Sequence, residues 1–309
     1  MSVQYSLIIP VYNEEKVLDE CYSEVKKTAQ KFDGEYEIIF VNDGSKDKSL
    51  DILKRFAQED KTVKVISFSR NFGHQPAVSA GMKEACGQAL IILDADLQDP
   101  PEVVHEMIKK WKEGYDIVYG KRTKRKGEKP LKKLTAFLYY RFLARITGLN
   151  IPKDTGDFRL VSRKAADAII SMPEKNRYLR GMNSWVGFKQ AAVLYERNPR
   201  FAGETKYTLK KMVKLASDGI ISNTNYPLSF ILGLGVFFGV LSFLGYIAVL
   251  TLQLTKVISN VVYWLFPSLG LGLSITLMAL GIIGIYLGRV YDEVKNRPIY
   301  IISEKINFD

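Results

Sequence analysis

Short apolar runs and helical stripes alternate from the start of the chain to about residue 120. Leu7–Val11, Tyr36–Asn42, Val63–Phe68, Ala89–Asp94 and Asp116–Tyr119 read as strands. Glu14–Phe32, Asp47–Gln58, Gln75–Ala85 and Pro101–Glu113 carry the spacing of amphipathic helices. Strand–helix alternation of this kind predicts an α/β fold, a mostly parallel sheet with helices on both faces. Further on the pattern changes. Pro130–Leu149 interleaves Lys132, Lys133, Arg141 and Arg145 with Leu134, Phe137, Leu138, Tyr140 and Phe142, which suits an amphipathic helix lying in a membrane interface. Thr208–Ile221 repeats that pattern. No charged residue occurs from Gly219 to Thr255 or from Val257 to Gly288, and each run exceeds the roughly 20 residues a bilayer crossing needs. Two transmembrane helices are expected, over about 228–252 and 261–287.

Charge orients those spans. Lys206, Lys210, Lys211 and Lys214 precede the first and Arg289, Lys295 and Arg297 follow the second, while the connection carries only Lys256. The positive-inside rule puts both ends in the cytoplasm. The expected organisation is therefore a catalytic body over 1–205, an interfacial segment over 206–226, a two-helix hairpin over 227–289 and a cytoplasmic tail over 290–309. No signal peptide is expected, because the chain runs almost at once into the first strand. The average composition, 47% hydrophobic and 25% charged, hides this division. A net charge of +11 could suggest nucleic acid, but the basic residues cluster beside the apolar runs and in the Lys121–Lys133 stretch, and no nucleic-acid-binding motif accompanies them. Anionic lipid or a lipid-borne phosphate fits them better. Cys21 and Cys86 lack metal-ligand spacing and are expected as reduced thiols. Gly235/Gly239 and Gly284/Gly288 would permit close helix packing and hence a homo-oligomer.

The chemistry gathers where strands end. The fourth strand runs into Asp94-Ala95-Asp96-Leu97-Gln98, two carboxylates and an amide at the carboxyl edge of a parallel sheet, where such folds bind ligands. These are hard oxygen donors for a divalent ion shared with a diphosphate; an acidic helix cap is the plainer reading. The other strands lead into Pro10-Val11-Tyr12-Asn13-Glu14, Asn42-Asp43-Gly44-Ser45 and Ser69-Arg70-Asn71-Phe72-Gly73. Asp43 could accept from a base or ribose and Tyr12 could cover a ring, although Asn13 and Asp47 serve equally well as caps. Neither GxGxxG after the first strand nor GxxxxGK[ST] is present, which excludes the dinucleotide-binding and P-loop modes of holding a nucleotide.

The segments SLIIPVYNEE, EIIFVNDGSKDKS, SRNFGHQPAVSAGM, ILDADLQDPPE and GKR together resemble the inverting GT-A glycosyltransferases of family 2. TGDFRLVSRKA and ERNPRFAGETKYTLKKM, followed by two apolar runs, resemble the polyprenyl-phosphate branch: dolichol-phosphate mannose synthases and, most closely, bactoprenol glucosyltransferases of O-antigen modification. The resemblance implies roles. Pro10, Tyr12, Glu14, Asp43 and Asn71, with Asp94 and Ala95, fall where the family holds the nucleotide sugar. Asp94, Asp96 and Gln98 fall on its metal site for Mg²⁺ or Mn²⁺. Arg122 falls near the diphosphate, and Arg197, Arg200 and Lys206 on the motif that meets the acceptor phosphate. Asp157 lies near the reacting sugar, as a base or as a holder of sugar hydroxyls; the bland alternative is an ion pair with Arg159 or Arg163. Thr205 stands where the family pattern has Ser. The QxxRW motif of processive synthases is missing.

Expected from this resemblance is inverting transfer of a hexose, glucose from UDP-glucose, to undecaprenyl or dolichyl phosphate at the bacterial inner membrane. The alternatives are another donor such as GDP-mannose, or a non-catalytic sugar-nucleotide-binding scaffold.

Overall fold

In a computed structural model of the chain, the described residues are 3–123, 155–197, helical positions scattered between 272 and 294, and 295–308. Four strands, β1 (Tyr5–Val11), β2 (Tyr36–Asn42), β3 (Val63–Phe68) and β4 (Ala89–Ile92), run parallel in the order β4-β1-β2-β3. Beyond β4 the sheet continues through β6 (Thr155–Ser162), antiparallel to it, then β5 (Ile117–Arg122) and β7 (Gln190–Tyr195). Beyond β3 lies β8 (Ile302–Ile306), antiparallel, which completes eight strands. The stretch expected as a C-terminal tail thus carries an edge strand, and Pro298–Asp309 belongs to the same compact unit as the rest of the sheet.

Period-two alternation sorts the core into two layers. Leu7, Ile9 and Val11 of β1 face α1 (Leu18–Ala29), α2 (Ser49–Glu59) and α4 (Val104–Lys112), meeting Leu18, Val25, Leu53, Phe56 and Met107. Ile8 faces the other way, in a layer with Ala77 and Val78 of α3 (His74–Glu84), Ile169 of α5 (Arg163–Ser171) and Leu179 of α6 (Leu179–Trp185). Helix α1 shows why these segments fold as they do. Leu18, Cys21, Val25 and Ala29 recur every three or four residues and are buried. Asp19 and Glu20 in its first turn and Lys26 and Lys27 in its last complement the helix dipole.

The predicted α/β class, with helices on both faces of a mostly parallel sheet, is the architecture found. The interfacial helices expected over 130–149 and 206–226, the first span and most of the second lie outside the described residues. Among the described residues no helix is long and apolar enough to cross a membrane. Cys21 is buried and Cys86 exposed, both as free thiols.

Topology decides where function can sit. Strands β1 to β5 and β7 all point one way, so the residues after each collect at one edge. Because β6 runs against them, its first residues, Thr155 to Asp157, start at that same edge.

Candidate active site

The first two loops are stitched together. Asn13, in a left-handed conformation (φ 53°), takes the Lys46 N–H on its side-chain oxygen at 2.8 Å, and its own N–H donates to Ser45 Oγ at 3.0 Å. Asp47 accepts from the N–H groups of Ser49 and Glu15. Neither residue is a helix cap: α1 and α2 start after Val17 and Lys48 without a side-chain cap, and Asn13 and Asp47 instead tie the two loops to each other. Gly44 (φ 63°) is required: a Cβ there would stand 2.3 Å from the Arg70 carbonyl carbon. Pro10 is half-buried near the end of β1, ahead of buried Val11, and Tyr12 and Glu14 lie half-buried in the loop beyond it.

Asp43 and Asn71, predicted together, are together. Asn71 Nδ2 donates to Asp43 Oδ2 at 2.8 Å, Phe72 N–H to Oδ1 at 2.7 Å and Gly73 N–H to Oδ2 at 2.9 Å. Burial pushes the Asp43 carboxyl up, against the pull of those N–H groups. The carboxylate therefore fastens the loop after β3 to the loop after β2.

After β4 the turn tightens. Leu97 is left-handed (φ 54°), a conformation that costs a non-glycine residue about 1 kcal/mol, and the Gln98 N–H donates to Asp96 Oδ1 at 3.1 Å. Asp94, Asp96 and Gln98 are partly exposed on this turn, and Ala95 is buried among them. Burial pushes the Asp94 carboxyl up, and the carboxylates of Asp157, Asp96 and Asp99 push further, against the pull of His74, to about 6.

Asp157, at the start of β6, is held by Arg180 of α6 in a two-pronged pair, Nε to Oδ1 at 2.9 Å and Nη2 to Oδ2 at 3.2 Å. Arg159 stands at 3.9 Å from it. Arg163 instead binds the carbonyls of Ala85 and Gly87. His74, the first residue of α3, places Nε2 3.4 Å from Asp157 Oδ2 and 3.8 Å from Asp94 Oδ1. Burial alone would raise the Asp157 carboxyl, yet Arg180 and His74 hold it well below the usual carboxylate range. Burial also opposes a charge on His74, but Asp157 and Asp94 lift its pKa to about 9.

Arg122, the last residue of β5, meets Asp99 and Tyr195. Its Nε donates to Tyr195 Oη at 3.2 Å, and Nη2 lies 3.5 Å from Asp99 Oδ1. Burial disfavours the Arg122 charge, but Asp99 more than restores it and raises its pKa. Arg197, two residues past β7, reaches the same Asp99 oxygen at 3.3 Å. Arg200 and Lys206 lie outside the described residues.

Four participants were not singled out from sequence: His74, Asp99, Arg180 and Tyr195. His74 and Asp99 lay inside quoted motifs, but their partners are distant along the chain. Arg180 and Tyr195 carried no local signal.

Residues 6–170, more than half of the chain, match glycosyl transferase family 2. The uncharacterized glycosyltransferase YkcC of Bacillus subtilis is 50% identical over 309 residues, covering 99% of this chain and 95% of that protein. The SfII prophage-derived bactoprenol glucosyl transferase of Shigella flexneri is 39% identical over 304 residues, 98% of each. Among solved structures, glucosyl-3-phosphoglycerate synthase from Mycobacterium tuberculosis, in complex with Mn²⁺, UDP-glucose and phosphoglyceric acid, is similar with a TM-score of 0.47 and 18% identity, covering 70% of this chain and 76% of that one.

Proposed function

The chain belongs to glycosyl transferase family 2, in its polyprenyl-phosphate branch, and from that premise we propose that it moves a hexose, glucose from UDP-glucose, onto a membrane polyprenyl phosphate with inversion. One observation carries the reading. Cation-seeking carboxylates, Asp94 and Asp96, and anion-seeking guanidiniums, Arg122 and Arg197, share a single sheet edge.

A divalent ion suits the residues present. Two Asp carboxylates and the Gln98 amide are hard donors, and the Asp94 carboxyl, pushed up first by burial and then by Asp157, Asp96 and Asp99, has acidic neighbours whose charge a cation would offset. Among the described residues no three His, Cys, Asp or Glu are grouped as a metal cluster. Asp94, Asp96 and Gln98 would hold Mg²⁺ or Mn²⁺ together with the donor diphosphate. When bound, the ion neutralises charge on the leaving nucleoside diphosphate.

The chain's own residues do the rest. Arg122 and Arg197 align phosphoryl oxygens. The second pKa of a phosphate monoester is near 6, so the acceptor is already largely a dianion at neutral pH and needs orientation more than a base. Asp157, held ionised by Arg180, is a poor proton acceptor and suits sugar hydroxyls better. In-line attack of the lipid phosphate on the anomeric carbon expels UDP and gives a β-linked product from an α-linked donor.

A lipid acceptor requires a membrane, and the charge-free runs over about 228–252 and 261–287 supply the spans. In this reading the protein is a multi-pass protein of the bacterial inner membrane with its sheet in the cytoplasm. The test is transfer of radiolabel from UDP-glucose into the organic phase with polyprenyl phosphate and Mg²⁺ or Mn²⁺. Metal-dependent label supports the reading. Label only from GDP-mannose keeps the reaction and changes the sugar. Nucleotide binding without transfer from any donor points to the scaffold.

A further inference from the structure

Asp99 is the most deeply buried acid at the site. Its side chain is 0% exposed, yet it is flanked by two guanidiniums that are themselves partly open to solvent. Its Oδ1 accepts the Tyr195 hydroxyl at 2.5 Å and lies 3.5 Å from Arg122 Nη2 and 3.3 Å from Arg197 Nε. Tyr195 accepts in turn from Arg122 Nε, which closes a triangle of carboxylate, phenol and guanidinium. Gly156 keeps the space clear, since a Cβ there would stand 2.7 Å from Arg122 Nη2.

An isolated buried carboxylate is costly unless paired, and Asp99 is paired twice over. One negative charge between two positive ones leaves the cluster cationic, with guanidinium N–H groups to spare for another anion. Asp99 directly follows Gln98, so the turn that presents the carboxylates also anchors the arginines.

Resting on the transferase reading above, we propose that Asp99 is a positioning residue that locks Arg122 and Arg197 into one fork for phosphoryl oxygens. Without its charge, two guanidiniums would face each other with no counter-ion between them, and their repulsion would splay the fork. The ligand chemistry is a phosphoryl group, which the donor diphosphate and the lipid phosphate both carry.

The test is equilibrium binding to the full-length Asp99→Asn protein of UDP against uridine, and of undecaprenyl phosphate against undecaprenol in detergent micelles. Expected is a loss of about ten-fold or more for UDP, for undecaprenyl phosphate or for both, with uridine and undecaprenol within two-fold of wild type. The ligand that weakens identifies the phosphate the fork holds. Unchanged or tighter binding of both phosphate-bearing ligands overturns the proposal. So does an equal loss for their phosphate-free counterparts, which would mark a general disruption. Tyr195→Phe removes only the bridging hydroxyl and carries the same test, with a smaller loss of the same selectivity, should the Asn variant fail to fold. Because binding needs no turnover, a wild-type protein that binds both ligands but transfers nothing would remove the transferase reading and leave this one standing.

Discussion

His74 Nε2 stands 3.4 Å from Asp157 Oδ2, joining the start of α3 to the start of β6 at the edge where the carboxylates gather. The pair makes stability depend on pH. His74 is raised from 6.5 to about 9, so the folded state holds its proton more tightly than the unfolded chain. Its contribution is complete below about pH 6.5 and is lost as pH rises through 9. Asp94, raised from 3.8 to about 6, adds a loss of stability across that lower interval, again as pH rises. The melting temperature of metal-free protein should fall from pH 6.5 to 9, and His74→Gln should flatten that fall.

The fork between Arg180 and Asp157 predicts a different variant. Arg180→Ala leaves a buried carboxylate with its main partner gone, at a cost of about 2 kcal/mol; this lies below the range for fully buried pairs because Arg180 is 20% exposed. Chemical denaturation measures it. The pH profile of wild-type turnover should show no limb from Asp157 between pH 5 and 8, because that carboxylate stays ionised throughout.

Asp43→Ala removes the acceptor shared by three donor groups and strands the N–H groups of Phe72 and Gly73. A loss of about 2 kcal/mol is expected, together with weaker UDP binding as the Asn71 loop loosens. Calorimetry on the purified variant reads both.

Asp96→Ala should abolish label transfer while leaving the melting temperature within about 2 °C of wild type, since the side chain is partly exposed on a turn. Chelation of divalent ions should reproduce the loss in wild type, and added Mg²⁺ or Mn²⁺ should restore it there but not in the variant.

Local pattern revealed what local forces decide. β2 and β3 fall on their expected residues because each is a mostly apolar run buried on both faces. α1 begins at Leu18 rather than Glu14, because the preceding residues are spent on bonds to the loop after β2. What stayed hidden depends on partners far away in sequence. β6 pairs with β4 across about 70 residues, and its reversed direction brings Asp157 to the site. His74 and Arg180 meet Asp157 only once α3, α6 and β6 have packed. Asp99 read as one more acid beside two others, and its distinct role comes from burial against Arg122, Tyr195 and Arg197.

β8 carries the remaining consequence. It hydrogen-bonds along β3, Tyr300 stacks on Phe68 with ring centroids 5.0 Å apart, and Asn307 Nδ2 ties the strand end to the carbonyls of Ala57 and Val63. The chain thus leaves this sheet after β7 and rejoins it at β8, so the intervening stretch is an insertion rather than an appendage. A bilayer passage made by that stretch must be a round trip: one or three crossings are forbidden and two are the minimum. Cutting the protein ahead of Pro298 would strip an outer strand and bare the backbone edge of β3, inviting aggregation. A shortened version should instead keep the last strand.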